Sequence, residues 1–250
     1  MIWKWLSYPR SAVLAVLYPV YLLFASLIVI TINVLFGRRD LDDLTLKWWG
    51  IASCKMFGVQ VRVQGLENIP PGGGVYLFNH TSFFDIFAIA GYLPSVRFGA
   101  KIELFNIPLF GWAMRRIGNL PIARKNRDKV FKIYKEAEAR LQSGEHIALA
   151  PEGTRQTEEK LGQFKAGPFV FAINAQVPVI PIVIRNASAI LPKHSIFPNF
   201  GTWSREIHLI VLPAFKTQGL VVESRVELQE QVMASMQTYF TTLQEEFKIL

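Results

Sequence analysis

Two short segments hold the residue types that can move a proton and grip an anion. The first is Val75-Tyr76-Leu77-Phe78-Asn79-His80-Thr81-Ser82-Phe83-Phe84-Asp85-Ile86-Phe87. On one continuous helix, residues five apart point about 140° away from each other at 3.6 residues per turn. The pattern reads instead as strand, corner, helix. Ser82 suits an N-cap, and Asp85 three residues later makes a capping-box-like pair, with Asp in place of the usual Glu or Gln. That puts His80 on the loop at the strand's carboxyl end and Asp85 in the first helical turn, where the ring can fold back on the carboxylate. Such a pair makes a general base, because the carboxylate fixes the tautomer and stabilises the imidazolium that forms. No activated serine or cysteine stands nearby, so direct attack by a substrate hydroxyl is the simplest use. Taken alone, the segment also fits a buried capping Asp beside a satisfied His.

The second segment is Pro151-Glu152-Gly153-Thr154-Arg155, directly after the apolar run 147–150. Both segments sit at strand carboxyl ends, where α/β sheets favour ligands. Gly153 permits a tight turn, and the planar fork of Arg155 suits a phosphate. Glu152 has two possible roles, holding Arg155 or completing the site. A plain Glu–Arg surface turn is the alternative. A third region, Gly118 to Arg124, has Lys101 upstream and Lys125 and Arg127 just after it. This basic cluster suits a phosphate or an anionic lipid surface equally.

Short apolar runs at 60–64, 75–78, 96–100, 147–150, 179–184 and 207–212 are the strands expected to position these residues. Runs 147–150 and 179–184 are apolar throughout, as in strands covered on both faces. Val130, Ile133, Ala137 and Leu141 recur at helical spacing, as do Leu228, Val232, Met236, Phe240, Leu243 and Phe247. Pro70 to Gly74 form a turn before a strand, and Gly144 suits a helix end. Alternating strands and helices argue for one α/β domain.

Residues 11–36 contain no Asp, Glu, Lys, Arg or His. As a helix they would reach roughly 39 Å, enough for a bilayer core of about 30 Å. The run does not read as a cleavable signal peptide: it is too long and has no small-x-small site. Pro19 is expected to kink or break it near Tyr18, leaving 20–36 at about 26 Å. A tilted span and a re-entrant anchor both fit. Lys4 and Arg10 precede the run, and Arg38, Arg39, Lys47 and Lys55 follow it, which leans toward a cytoplasmic C-terminal domain. The piece 44–59, with Trp48, Trp49, Lys47 and Lys55, suits either the headgroup level or the domain's core.

Bulk composition agrees with a membrane setting. Hydrophobic residues make up 51% and charged residues 18%, where about 25% charged is usual for soluble domains. The net charge of +8 favours anionic partners. The single Cys54 excludes an intramolecular disulfide and reads as a packed thiol. There is no G-x-G-x-x-G, P-loop or G-x-S-x-G pattern, and His80, His146, His194 and His208 lack metal-site spacing, so no metal is expected.

From Val61 to Ile184 the chain resembles the glycerolipid acyltransferase family, typified by the bacterial lysophosphatidate acyltransferases. Asn79 to Asp85 match its N-H-x-x-x-x-D block. Lys101 and Glu103, then Pro108 to Gly111, resemble the stretch that follows. Gly118 and Arg124 match the second block, and Pro151 to Arg155 its P-E-G-T-R block. Phe164 to Gly167 and Val177 to Ile182 match the last two. Ala123 and Gln156 depart from the family's frequent Asp and Ser, which bears on the acceptor more than on the reaction.

The resemblance implies that His80 is the general base and Asp85 its orienting partner. It implies that Lys101, Arg124, Glu152, Gly153, Thr154 and Arg155 form the acceptor phosphate site. Acyl-CoA or acyl carrier protein would donate the acyl group to 1-acyl-sn-glycerol 3-phosphate, giving phosphatidic acid. No further cofactor and no nucleic acid is implied. The expected architecture is a single α/β domain over 60–250, with a mixed, mostly parallel sheet flanked by helices. An N-terminal membrane-anchoring helical segment over 1–59 precedes it, and the catalytic domain is expected on the cytoplasmic side of an inner or plasma membrane. The rivals are the same chemistry on another acceptor (glycerol 3-phosphate, another lysophospholipid or a lyso-aminolipid), a non-catalytic lipid-binding protein, and a thioester hydrolase.

Overall fold

Helix α1, Ile2–Phe36, opens the chain and helix α2, Arg39–Met56, follows it. Strand β1 (Val59–Gln64), strand β2 (Gly74–Phe78), helix α3 (Phe84–Tyr92) and strand β3 (Val96–Lys101) come next. Helix α4 (Phe110–Arg116), strand β4 (Leu120–Ile122), helix α5 (Arg127–Gln142) and strand β5 (His146–Leu149) lead to the middle of the chain. Helix α6 (Gly167–Ala175), strand β6 (Val179–Arg185), helix α7 (Ala187–Ile190), strand β7 (Arg205–Val211) and helix α8 (Arg225–Glu246) complete it. The computed structural model describes residues 2–157 and 160–246.

The strands form one sheet in the order β1-β7-β6-β2-β5-β3-β4. Every neighbouring pair is parallel except β6 with β7. The sheet is thus mixed and mostly parallel, as expected. Its central strands are apolar throughout because both faces are covered. Alternate residues feed two cores. Tyr76, Phe78, Ala148, Ile180 and Ile182 pack with α2, α3 and α7. Val75, Leu77, Ile147, Leu149 and Val179 pack with α5, α6 and α8. Leu228, Val232, Met236 and Phe240 of α8 are buried as the periodicity predicts. The side chain of Leu243 and the whole of Phe247 lie outside the described residues.

All six predicted strands are present, with ends shifted by a residue or two. The seventh, β4, has only three residues with Pro121 in the middle. It lies at the sheet's edge, where a proline does not interrupt a ladder on both sides.

Helix α1 runs unbroken through Pro9 and Pro19, so of the kink or break expected at Pro19 the break does not occur. A mid-helix proline costs about 3 kcal/mol. Docking along the whole helix offsets that cost. Near its start Ser11 Oγ donates to Pro198 O at 2.6 Å, and the Arg10 guanidinium lies 4.1 Å from the Trp203 ring centre. Beside Pro19, the Tyr18 hydroxyl bonds Ser53 Oγ at 2.9 Å. Near its end Asn33 Nδ2 donates to Asp42 at 3.1 Å. The opposite face, including Val16, Val20, Phe24 and Leu27, is exposed and apolar.

Helix α2 joins the core. Leu46 and Cys54 are buried against strand residues, while Trp48 stays exposed. Burial pushes the Cys54 thiol up to about 12, which leaves it an inert packed group. Gly50 makes the close approach to α3 possible: a Cβ there would fall 2.5 Å from Gly91 N and 2.7 Å from Phe87 O.

Candidate active site

Parallel register assembles the site. Leu77 of β2 pairs with Leu149 of β5. His80 and Glu152 each lie three residues beyond that pair, so both strands deliver them to the same sheet edge at the same height. Phe98 of β3 pairs with Ala148, and Lys101 lies three residues further along. Lys101 pairs with Ile122 of β4, two residues before Arg124. All the expected site residues therefore sit at or near the carboxyl edge of the sheet or in the first turn that leaves it.

The corner after β2 keeps half of the expected capping pattern: helix α3 starts at Phe84 with Phe83, not Ser82, at the cap position, but Asp85 still reaches back to the Ser82 amide. Asp85 Oδ2 accepts from Ser82 N at 2.8 Å and from Thr81 N at 2.8 Å. Ser82 Oγ accepts from Phe84 N at 3.3 Å. The same Asp85 oxygen meets His80 Nδ1 at 2.9 Å. Asp85 is fully buried, and the His80 side chain is 12% exposed. Two backbone N–H donors already make Asp85 Oδ2 an acceptor. Nδ1 then carries the ring proton and donates it to Asp85, leaving Nε2 as the free base. Asn79 fixes the end of β2 from the other side. Its Nδ2 donates to Ile184 O at 2.9 Å, and its Oδ1 accepts from Ile184 N at 2.7 Å. This clamp gives Asn79 a role beyond filling a motif position.

The turn after β5 is tied to this corner by Gln156 N, which donates to His80 O at 2.7 Å. Gly153 takes φ +71°, a left-handed conformation that favours glycine. The Arg155 guanidinium lies 4.5 Å from the Phe83 ring centre and donates to Lys193 O at 3.2 Å. Burial lowers the Arg155 pKa, and the nearby Asp85 charge opposes that shift. Arg155 is thus within electrostatic reach of the His80–Asp85 pair. Thr154 is exposed at the tip of the turn. Glu152 is buried, and its carboxyl is pushed up to about 7, chiefly by burial. Lys101 and Glu103 pair at 3.5 Å, and Arg124 lies within reach of the Glu103 charge. These form a second basic cluster along the same edge.

The Acyltransferase family model matches residues 60–185, half of the chain. The chain belongs to this family. Relatives extend the match. A chloroplastic 1-acyl-sn-glycerol-3-phosphate acyltransferase of Brassica napus is 34% identical over 160 residues, covering 63% of this chain and 46% of the relative. The 1-acyl-sn-glycerol-3-phosphate acyltransferase of Pseudomonas aeruginosa is 32% identical over 178 residues, covering 71% of this chain and 67% of the relative. The chain spans about half the length of the plant relatives it matches. In fold it is similar to the crystal structure of the 1-acyl-sn-glycerophosphate acyltransferase PlsC from Thermotoga maritima. The TM-score is 0.80 at 24% identity, covering 97% of this chain and 98% of that one.

Within this acyltransferase fold, two site neighbours have no counterpart among the residues singled out from sequence. Phe83 forms the shelf under Arg155. Lys165 lies over the glycine of the turn: a Cβ on Gly153 would fall 2.7 Å from Lys165 Cε and 3.5 Å from Nζ. The backbone bond from Lys165 N to Pro151 O, 2.8 Å, sets that placement. The F-K-A-G stretch was the only signal for it in the sequence.

Proposed function

We propose that the chain transfers a fatty acyl group from a thioester, acyl-CoA or acyl carrier protein, to the free hydroxyl of 1-acyl-sn-glycerol 3-phosphate, giving phosphatidic acid. The observation that carries this reading is the His80 Nδ1–Asp85 Oδ2 bond of 2.9 Å, with the Arg155 fork in reach of the same carboxylate. His80 Nε2 takes the proton as the acceptor hydroxyl attacks the thioester carbonyl. Asp85 stabilises the imidazolium that results. The tetrahedral intermediate collapses, the C–S bond breaks, and the imidazolium returns its proton to the leaving thiolate. Arg155, with Lys101 and Arg124, grips the acceptor's phosphate and holds its hydroxyl at the base. No covalent acyl-enzyme is formed.

The exposed apolar face of α1 rests on the membrane in this reading, with the catalytic domain on the cytoplasmic side. Lysolipid and product both reside there, and the aromatic residues Trp3, Trp5 and Trp48 suit the headgroup level.

The test is an acceptor series with one acyl-CoA donor: lysophosphatidate, glycerol 3-phosphate, lysophosphatidylcholine and a lyso-aminolipid. Lysophosphatidate should give the highest kcat/KM. A larger value with any other acceptor would reassign the substrate.

A further inference from the structure

The phosphate-site role implied for Glu152 conflicts with its surroundings. Glu152 is 4% exposed, and both carboxyl oxygens are closed to solvent and lack a hydrogen-bond partner among the described residues. A group closed in this way cannot touch a substrate phosphate. The backbone of His80 and Gly162 and the Gln156 carboxamide approach Glu152 without closing a normal hydrogen bond, and Asp85 is the charge in reach.

Two buried carboxyls therefore lie within electrostatic reach of each other beside the His80 corner. Asp85 Oδ2 accepts from two backbone N–H groups and meets His80 Nδ1, while Asp85 Oδ1 has no partner among the described residues. Buried carboxylates in reach of each other cannot both ionise without a large cost, and the one with more donors keeps the charge. Among the described residues, the titratable and charged groups around Glu152 are Asp85 from α3, His80 from the corner after β2, Arg155 from its own turn, and Lys165 ahead of α6. Arg155 is spent on Phe83, Lys193 O and the field of Asp85.

We propose that Glu152 is a positioning residue that works as a neutral acid behind the His80–Asp85 pair, and that it does not contact the acceptor. The inference rests on the reading of His80 as the base in acyl transfer. As a neutral group, Glu152 leaves Asp85 as the single negative charge behind the ring. Its ionisation would put a second, unpartnered negative charge into the same closed space as Asp85, which costs folding free energy. Folding stability should then fall as pH rises from about 4.5 to about 7, where this carboxyl titrates, while the acceptor KM stays level.

Two measurements on the full-length protein test this. In infrared difference spectra taken on either side of neutral pH, wild type should show a protonated-carboxyl band that disappears as pH rises. Glu152→Gln should lack the band. Labelling the glutamates with carbon-13 should shift the band in wild type, so the test stands even if the variant folds poorly. In steady-state assays, Glu152→Gln, which keeps a neutral polar group of the same size, should hold kcat and acceptor KM within about threefold, whereas Glu152→Ala should lower kcat at level KM. No such band in wild type, or a loss of kcat in Glu152→Gln as large as in Glu152→Ala, would overturn the proposal. So would a tenfold rise in acceptor KM at unchanged kcat. The infrared result needs no turnover, so absence of acceptor-dependent activity would refute the proposed function and still leave the protonation of Glu152 decided.

Discussion

Replacing Asp85 by Asn isolates the charge behind His80 from the geometry around it. Asp85 Oδ2 accepts from two backbone N–H groups at 2.8 Å as well as from His80 Nδ1 at 2.9 Å. The two amides pin an acceptor at that position, so the Asn carbonyl should take it and the ring should keep its tautomer. What disappears is the negative charge. A unit charge pair about 4 Å apart is worth about 4 kcal/mol at an effective dielectric of about 20. At about 1.4 kcal/mol per decade, that is a fall in kcat of roughly 10³-fold. The acceptor KM should change little, because Arg155 is untouched. The new amide nitrogen is buried without a partner, at a cost of about 1–3 kcal/mol, so the fold should survive. The assay is thioester loss coupled to acylated product, with thermal unfolding as the control. A folded Asp85→Asn enzyme with kcat within about tenfold of wild type would refute the reasoning.

Arg155→Ala should raise the acceptor KM by about 10–100-fold, the worth of a hydrogen bond to a charged group, and Arg155→Lys should recover only part of it. Steady-state kinetics with varied lysophosphatidate reads both. Gly50→Ala forces a methyl group against Gly91 N and Phe87 O of α3. Overpacking should cost about 2 kcal/mol and lower the melting temperature by roughly 4–8 °C. The Glu152 carboxyl is raised from 4.5 to about 7 in the folded chain. Below the lower value it is neutral in both states; between the two, the unfolded state ionises first. Its stabilising contribution is therefore present below about pH 4.5 and lost by about pH 7. Across that window Glu152→Gln should gain about 3 kcal/mol relative to wild type in denaturant unfolding.

Much of the site was legible because chemistry and local structure pointed to the same residues. An apolar strand ending at Asn79-His80, followed by a capping pattern, forces a corner, and the corner brings ring and carboxylate together. The run before Pro151 is buried on both faces, so it had to be a central strand that ends at Glu152. Long-range pairing left weaker traces. Strand β4 is too short and too proline-bound for a periodicity to register. The unbroken α1 depends on contacts such as Ser11 with Pro198, which join residues 187 positions apart. The burial of Glu152 could not be read from a P-E-G-T-R turn, because a turn looks polar and exposed until the strands beside it are placed. Lys165 reaches the site through a backbone bond to Pro151, which no spacing rule reveals.

The most direct test of the His80 general base is a paired assay on membranes carrying wild type or His80→Ala, with and without lysophosphatidate. It follows thioester loss and acylated product together. General-base catalysis by His80 requires acceptor-dependent product that falls by about 10²–10⁴ in the variant. Acceptor-dependent turnover left intact in His80→Ala would contradict it.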